Sequence, residues 1–149
     1  MNLTEKINRD IKDAMKAREK QKLEGLRAIK NALLLLKTEK GASDNISEET
    51  EIKLLQKLVK QRKESAQIYE EQGRTDLKEK ELTEADVIQQ YLPEPMSNEK
   101  LENVIKLIIT EIGAKSMADM GKVMGMANNK LLGKADGKSI ANKVKELLQ

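Results

Sequence analysis

Only two prolines interrupt this chain of 149 residues, and both stand in one segment, Leu92-Pro93-Glu94-Pro95-Met96. Proline lacks a backbone donor and pushes the residue before it away from helical dihedrals, so no helix runs through that segment. On either side, apolar residues recur at three- and four-residue intervals with few glycines between them. The pattern predicts two helical units, residues 1–92 and 97–149, joined by a hinge at 93–96. With no Phe or Trp and only Tyr69 and Tyr91, any core is built from Leu, Ile, Val, Ala and Met. Such side chains suit helix packing, and the fold class expected is all-α: about four helices, then a small three-helix domain. The second unit lies near the ~55-residue size at which an isolated core is marginal.

Leu3, Ile7, Ile11 and Met15 mark the apolar stripe of a first helix, with Thr4 as its expected N-cap. Leu23, Leu26, Ile29, Leu33 and Leu36 mark a second helix, expected to end at Gly41. A loop leads to Ser47, which caps a long third helix whose Glu48 and Glu49 complement the helix dipole. Its inner face is Leu55, Leu58, Val59, Arg62, Ala66 and Tyr69, and Gly73 stops it. A fourth helix places Leu77, Ala85, Ile88 and Leu92 toward the core, with a restart or kink expected at Thr83. Ser97 then caps the segment with the clearest periodicity, Leu101, Val104, Ile105, Ile108, Ile109 and Ile112, which Gly113 closes. Ser116 and Asp119 have the spacing of a capping box for the sixth helix. Asp136 is the expected N-cap of the last helix, whose apolar face is Ile140, Val144, Leu147 and Leu148.

What is missing narrows the chemistry. Without Cys there is no thiolate nucleophile, thiolate metal site or disulfide. Without His, the usual acid/base near neutral pH and the commonest metal ligand are both gone. Carboxylates and lysines are abundant but form no recognisable catalytic constellation, so no catalytic residue, metal or cofactor is expected. No segment approaches the ~20 apolar residues of a membrane span. The N-terminus does not resemble a signal peptide, and a cytoplasmic location is expected.

Charge is unevenly placed. Residues 1–96 carry 19 Lys and Arg against 19 Asp and Glu, whereas residues 97–149 carry 9 against 6, so the whole excess lies in the last third. There, Gly133-Lys-Ala-Asp-Gly137-Lys138-Ser139 invites comparison with a phosphate-binding loop. It has three residues between the glycines where that loop needs four, and it follows a helix instead of a strand. Two readings remain: Gly133 as C-cap, Gly137 in the turn and Asp136 as N-cap, or a helix N-terminus that holds an anion beside Lys134 and Lys138. On a helical wheel Met117, Met120, Met124, Ala127 and Leu131 form one seam, read as core. Lys122, Gly125, Met126 and Asn129 fall on the opposite face, where Gly125 would permit close approach by RNA or a protein and Gly121 adds a small-residue pair. The basic run from Lys57 to Lys63 is read as a solvated face laced with pairs such as Lys60–Glu64. The two tyrosines are read as core-edge anchors, too few to stack bases.

Six segments, taken in order, carry a resemblance: Ile11-Lys-Asp-Ala-Met-Lys16, Lys60-Gln-Arg-Lys-Glu-Ser65, Gly73-Arg-Thr-Asp-Leu77, Tyr91-Leu-Pro-Glu94, Asp119-Met-Gly-Lys-Val-Met-Gly125 and Gly133-Lys-Ala-Asp-Gly137. Together they resemble the YqeY family, also called GatB/YqeY-like, over essentially the full chain. The resemblance implies similarity to the tail of GatB, a subunit of the glutamine-dependent amidotransferase that acts on mischarged tRNA. In that enzyme the chemistry lies outside the tail, whose role is contact with tRNA. It thus implies a non-catalytic tRNA-binding accessory module, with tRNA and a translation-related protein as partners. A carbon–nitrogen ligase label would be inherited from the larger enzyme. The expected phosphate contacts are Lys122, Lys130, Lys134 and Lys138, with Gly125 and Gly137 allowing close approach. Asn129 stands where many relatives carry proline, so the sixth helix is expected to run further here. The rival reading is a protein–protein adaptor that docks through the Gly125–Met126 face or the long third helix.

Overall fold

The computed structural model describes residues 2–39 and 46–149. Among them are seven α-helices, one 3₁₀ turn and no strand. The chain divides into two compact units, Met1–Leu92 and Pro93–Gln149. Gly41 and most of the loop before Ser47 lie outside the described residues.

The first unit contains α1 (Leu3–Ala17), α2 (Lys20–Glu39), α3 (Glu48–Glu71) and α4 (Thr75–Gln89). α4 packs on both α3 and α2, and α1 lies on α2. Ile7, Leu26, Ile29, Leu55 and Ile88 are fully buried at their centre, with Tyr91 and Leu92 along the edge. Helices α2 and α4 approach closely where Gly25 meets Val87: a Cβ on Gly25 would stand 2.9 Å from Val87 Cγ1.

Several sequence expectations are corrected here. Asn2, not Thr4, caps α1: its Oδ1 accepts from the Glu5 N–H at 2.8 Å, and Glu5 Oε2 reaches back to the Asn2 N–H at 3.3 Å. Asn2 has an acidic residue three positions on, whereas Thr4 has Ile7 there, so only Asn2 completes the reciprocal pair. Met15 is 55% exposed and Ala14 takes its place in the core. α4 runs through Thr83 without a restart, its hydroxyl donating to the Glu79 carbonyl at 2.9 Å. Ser47 caps α3 and Gly73 ends it with φ +71°, where the Arg74 N–H returns to the Tyr69 carbonyl at 2.8 Å.

Two polar contacts tie these helices together. Arg62 Nε on α3 lies 3.5 Å from Glu84 Oε2 on α4, both side chains mostly covered. Burial raises the Glu84 carboxyl above its ordinary value, and the Arg62 guanidinium offsets part of that rise. The Tyr91 hydroxyl donates to Asp10 Oδ2 at 2.5 Å, while Lys6 Nζ sits 5.6 Å from the ring centroid. Burial and the Asp10 carboxylate hold the phenol well above its ordinary value.

The second unit contains α5 (Asn98–Ile112), a 3₁₀ turn (Met117–Asp119), α6 (Met120–Lys130) and α7 (Gly137–Leu148). Its core is wholly aliphatic: Leu101, Ile105, Ile108, Val123, Ala127, Leu131, Ile140, Val144 and Leu148. Ser97 accepts from the Lys100 N–H at 3.3 Å, and Gly113 closes α5 with φ +75°. Met96 is fixed to this unit, its N–H donating to the Lys134 carbonyl at 2.8 Å and its side chain packing on the core.

Candidate nucleic-acid interface

The corner between α6 and α7 is built by backbone geometry. α6 ends at Lys130, and the Lys134 and Ala135 N–H groups turn back to the Leu131 carbonyl at 2.9 and 3.3 Å. Gly133 is buried at φ +79°, a left-handed conformation that a side chain would strain. The Lys134 carbonyl is held by Met96, so the backbone that carries the Lys134 side chain is pinned from two directions. Asp136 then caps α7, its Oδ1 accepting from the Ser139 N–H at 2.6 Å. That carboxylate occupies the helix end, so the anion reading cannot place a phosphate directly on the α7 amides. Lys134 and Lys138, both exposed, flank the cap instead. Gly137 is the first residue of α7, not part of the turn as expected, and its Cβ position is open.

The seam on α6 is corrected in phase. Val123, Ala127 and Leu131 are buried, Met120 and Met124 flank them, and Met117 is 38% exposed in the preceding 3₁₀ turn. Ser116 and Asp119 do not form a reciprocal box. Ser116 Oγ accepts from the Ala118 N–H, and Asp119 Oδ2 accepts from the Lys115 N–H at 3.0 Å. On the opposite face, Lys122, Gly125, Met126 and Asn129 are all exposed. Nothing lies within 4 Å of a Cβ built on Gly121 or Gly125, so neither glycine serves a close helix contact within the unit. The helix continues through Asn129 for one more residue.

The four candidate lysines differ in their surroundings. Lys130 reaches back to Glu111 Oε2 on α5 at 3.4 Å. Lys122, Lys134 and Lys138 form no ion pair among the described residues. Lys122 stands on the exposed face of α6, while Lys134 and Lys138 share the corner.

A polar cleft in the first unit escaped the sequence reading. It encloses about 550 Å³ between Arg18, Glu19, Lys20, Gln21, Lys22 and the α4 residues Thr83, Val87 and Gln90. The bend that forms it places Arg18 at φ 58°, a left-handed position without glycine. No local signal marks such a bend, because the usual cue is the glycine itself. Among the described residues, no group of His, Cys, Asp and Glu could hold a metal ion, and no helix is long and apolar enough to cross a membrane.

Residues 4–148 match the family described as Yqey-like protein. The chain belongs to the YqeY family. Across 96% of its length the YqeY chain is 27% identical to 79% of "Altered inheritance of mitochondria protein 41, mitochondrial" from Pyrenophora tritici-repentis. A stretch covering 58% of it is 34% identical to 12% of a Glutamyl-tRNA(Gln) amidotransferase subunit from Thermococcus gammatolerans. The second match is thus to a small part of a much longer protein.

Proposed function

We propose that this YqeY-family chain is a non-catalytic tRNA-binding accessory module related to part of a tRNA-dependent amidotransferase. The observation that carries the reading is a set of exposed lysines, Lys122, Lys134 and Lys138, with no ion-pair partner among the described residues. Two of them stand on a pinned corner. Ammonium groups of this kind position phosphate backbones without reading bases. Two tyrosines, one of them bonded to Asp10, offer no platform for stacking single-stranded bases. Similarity to a segment of an amidotransferase subunit whose name specifies tRNA supports the choice of RNA. Gly125, with open space above it, lets a ligand approach the α6 backbone. Lys130 is a lesser contributor, because Glu111 competes for it.

The test is the double substitution Lys134→Ala with Lys138→Ala. Binding of folded tRNA should weaken, and the slope of log K against log salt should fall by up to about two, near 0.9 per lost phosphate contact on the B-DNA scale. Unchanged binding by the double variant would overturn the site assignment. An apolar adaptor surface would instead respond little to salt.

A further inference from the structure

Residues 52–63 of α3 include Lys53, Lys57, Lys60, Arg62 and Lys63 and no carboxylate. The fold divides these cations. Arg62 turns inward to Glu84, and Lys53 pairs with Glu49 one turn back at 3.0 Å. Lys57, Lys60 and Lys63 are exposed and form no ion pair among the described residues. The expected bridge from Lys60 to Glu64 is not made, so this run is less compensated than its sequence suggests. Successive lysines three residues apart rise about 4.5 Å along the helix. Lys57 and Lys60 lie opposite the buried Leu55, Val59 and Ala66, with Lys63 turning toward one side. A helix gains nothing from ammonium groups placed in series, which repel one another when left unpaired.

We propose that this face of α3 is a second phosphate-contact surface, whose partner is the sugar–phosphate backbone of folded RNA. The inference rests on the RNA-binding reading above but assigns a different helix in the other unit. Charge complementarity selects the partner: three adjacent point charges with no aromatic side chain among them fit a repeating polyanion. The contact positions the RNA and carries no base specificity.

The test compares three full-length proteins binding folded tRNA between ~50 and ~200 mM salt: wild type, the triple variant Lys57→Gln/Lys60→Gln/Lys63→Gln, and Lys134→Ala/Lys138→Ala. The α3 variant should bind more weakly and lose about two to three from the salt slope, at roughly 0.9 per contact. Replacing the same three lysines with arginine should restore both, which a purely structural effect of the Gln variant does not predict. A wild-type slope in the α3 variant, alongside a reduced slope in the corner variant, overturns this inference and leaves the proposed function standing. Salt-insensitive or absent binding by the wild type overturns both.

Discussion

The two units solve the problem of a core without phenylalanine or tryptophan in different ways. The first unit buries its aliphatic centre and then locks the rim with long-range polar contacts, Arg62 to Glu84 and Tyr91 to Asp10. The second is aliphatic throughout and relies on helix caps: Ser97, Gly113, Gly133 and Asp136. Capping contacts are worth roughly 0.5–2 kcal/mol each and are local. The first arrangement uses charges to hold helices together; the second leaves Lys122, Lys134 and Lys138 without such partners among the described residues. Charge available for a ligand is charge not committed to internal ion pairs.

The largest expected effect separates the units directly. Ile105→Ala and Ile88→Ala each remove a side chain with 0% exposure, at a cost of about 2–5 kcal/mol. In the small second unit that loss should abolish amide-exchange protection of α5–α7 while α1–α4 stay protected. Ile88→Ala should lower protection in the first unit. Loss of protection in both units from either substitution would break the comparison.

Glycine gives the next contrast. Gly25→Ala drives a methyl against Val87 and should cost about 1–3 kcal/mol, partly recovered by adding Val87→Ala. Gly121→Ala, at an open helical position, should stabilise the second unit by about 0.5–1 kcal/mol. Gly125→Ala should stabilise it similarly yet weaken RNA binding, so denaturation and binding measurements should move in opposite directions. A Gly125→Ala protein that gains stability and keeps full affinity removes the close-approach role.

Acid titration sharpens the first unit's part in the contrast. Glu84 has a raised carboxyl pKa, so the folded state holds its proton more tightly than the unfolded state. The stability from that proton is complete below the ordinary value of 4.5 and is lost as pH rises through the folded value. Glu84→Gln should flatten stability against pH in that window, measured by urea unfolding. The smallest effect belongs to Lys130→Ala: its pair with Glu111 is half exposed, and stability should change by less than about 0.5 kcal/mol.

Legibility follows the range of the interactions. Ser47, Gly73, Ser97, Gly113 and Asp136 end or start helices as read, because capping chemistry depends on neighbours within a few residues. The all-α architecture follows from periodicity in the same way. A wheel for α6 that begins at Met117 slips in phase, because Met117 lies in the 3₁₀ turn; it passes over Val123 at the true centre. Arg62 lies on the face read as inner, yet its partner Glu84 is on another helix, which no local spacing names. The absence of a Lys60–Glu64 bridge is likewise hidden, since spacing permits that pair without requiring it.

The most direct measurement is binding of folded tRNA to the full-length protein at ~50 and ~200 mM salt. Affinity should fall tenfold or more between them, as expected when several phosphates are neutralised. No binding at the lower salt, or affinity that stays level across the range, contradicts a phosphate-contacting role for these lysines.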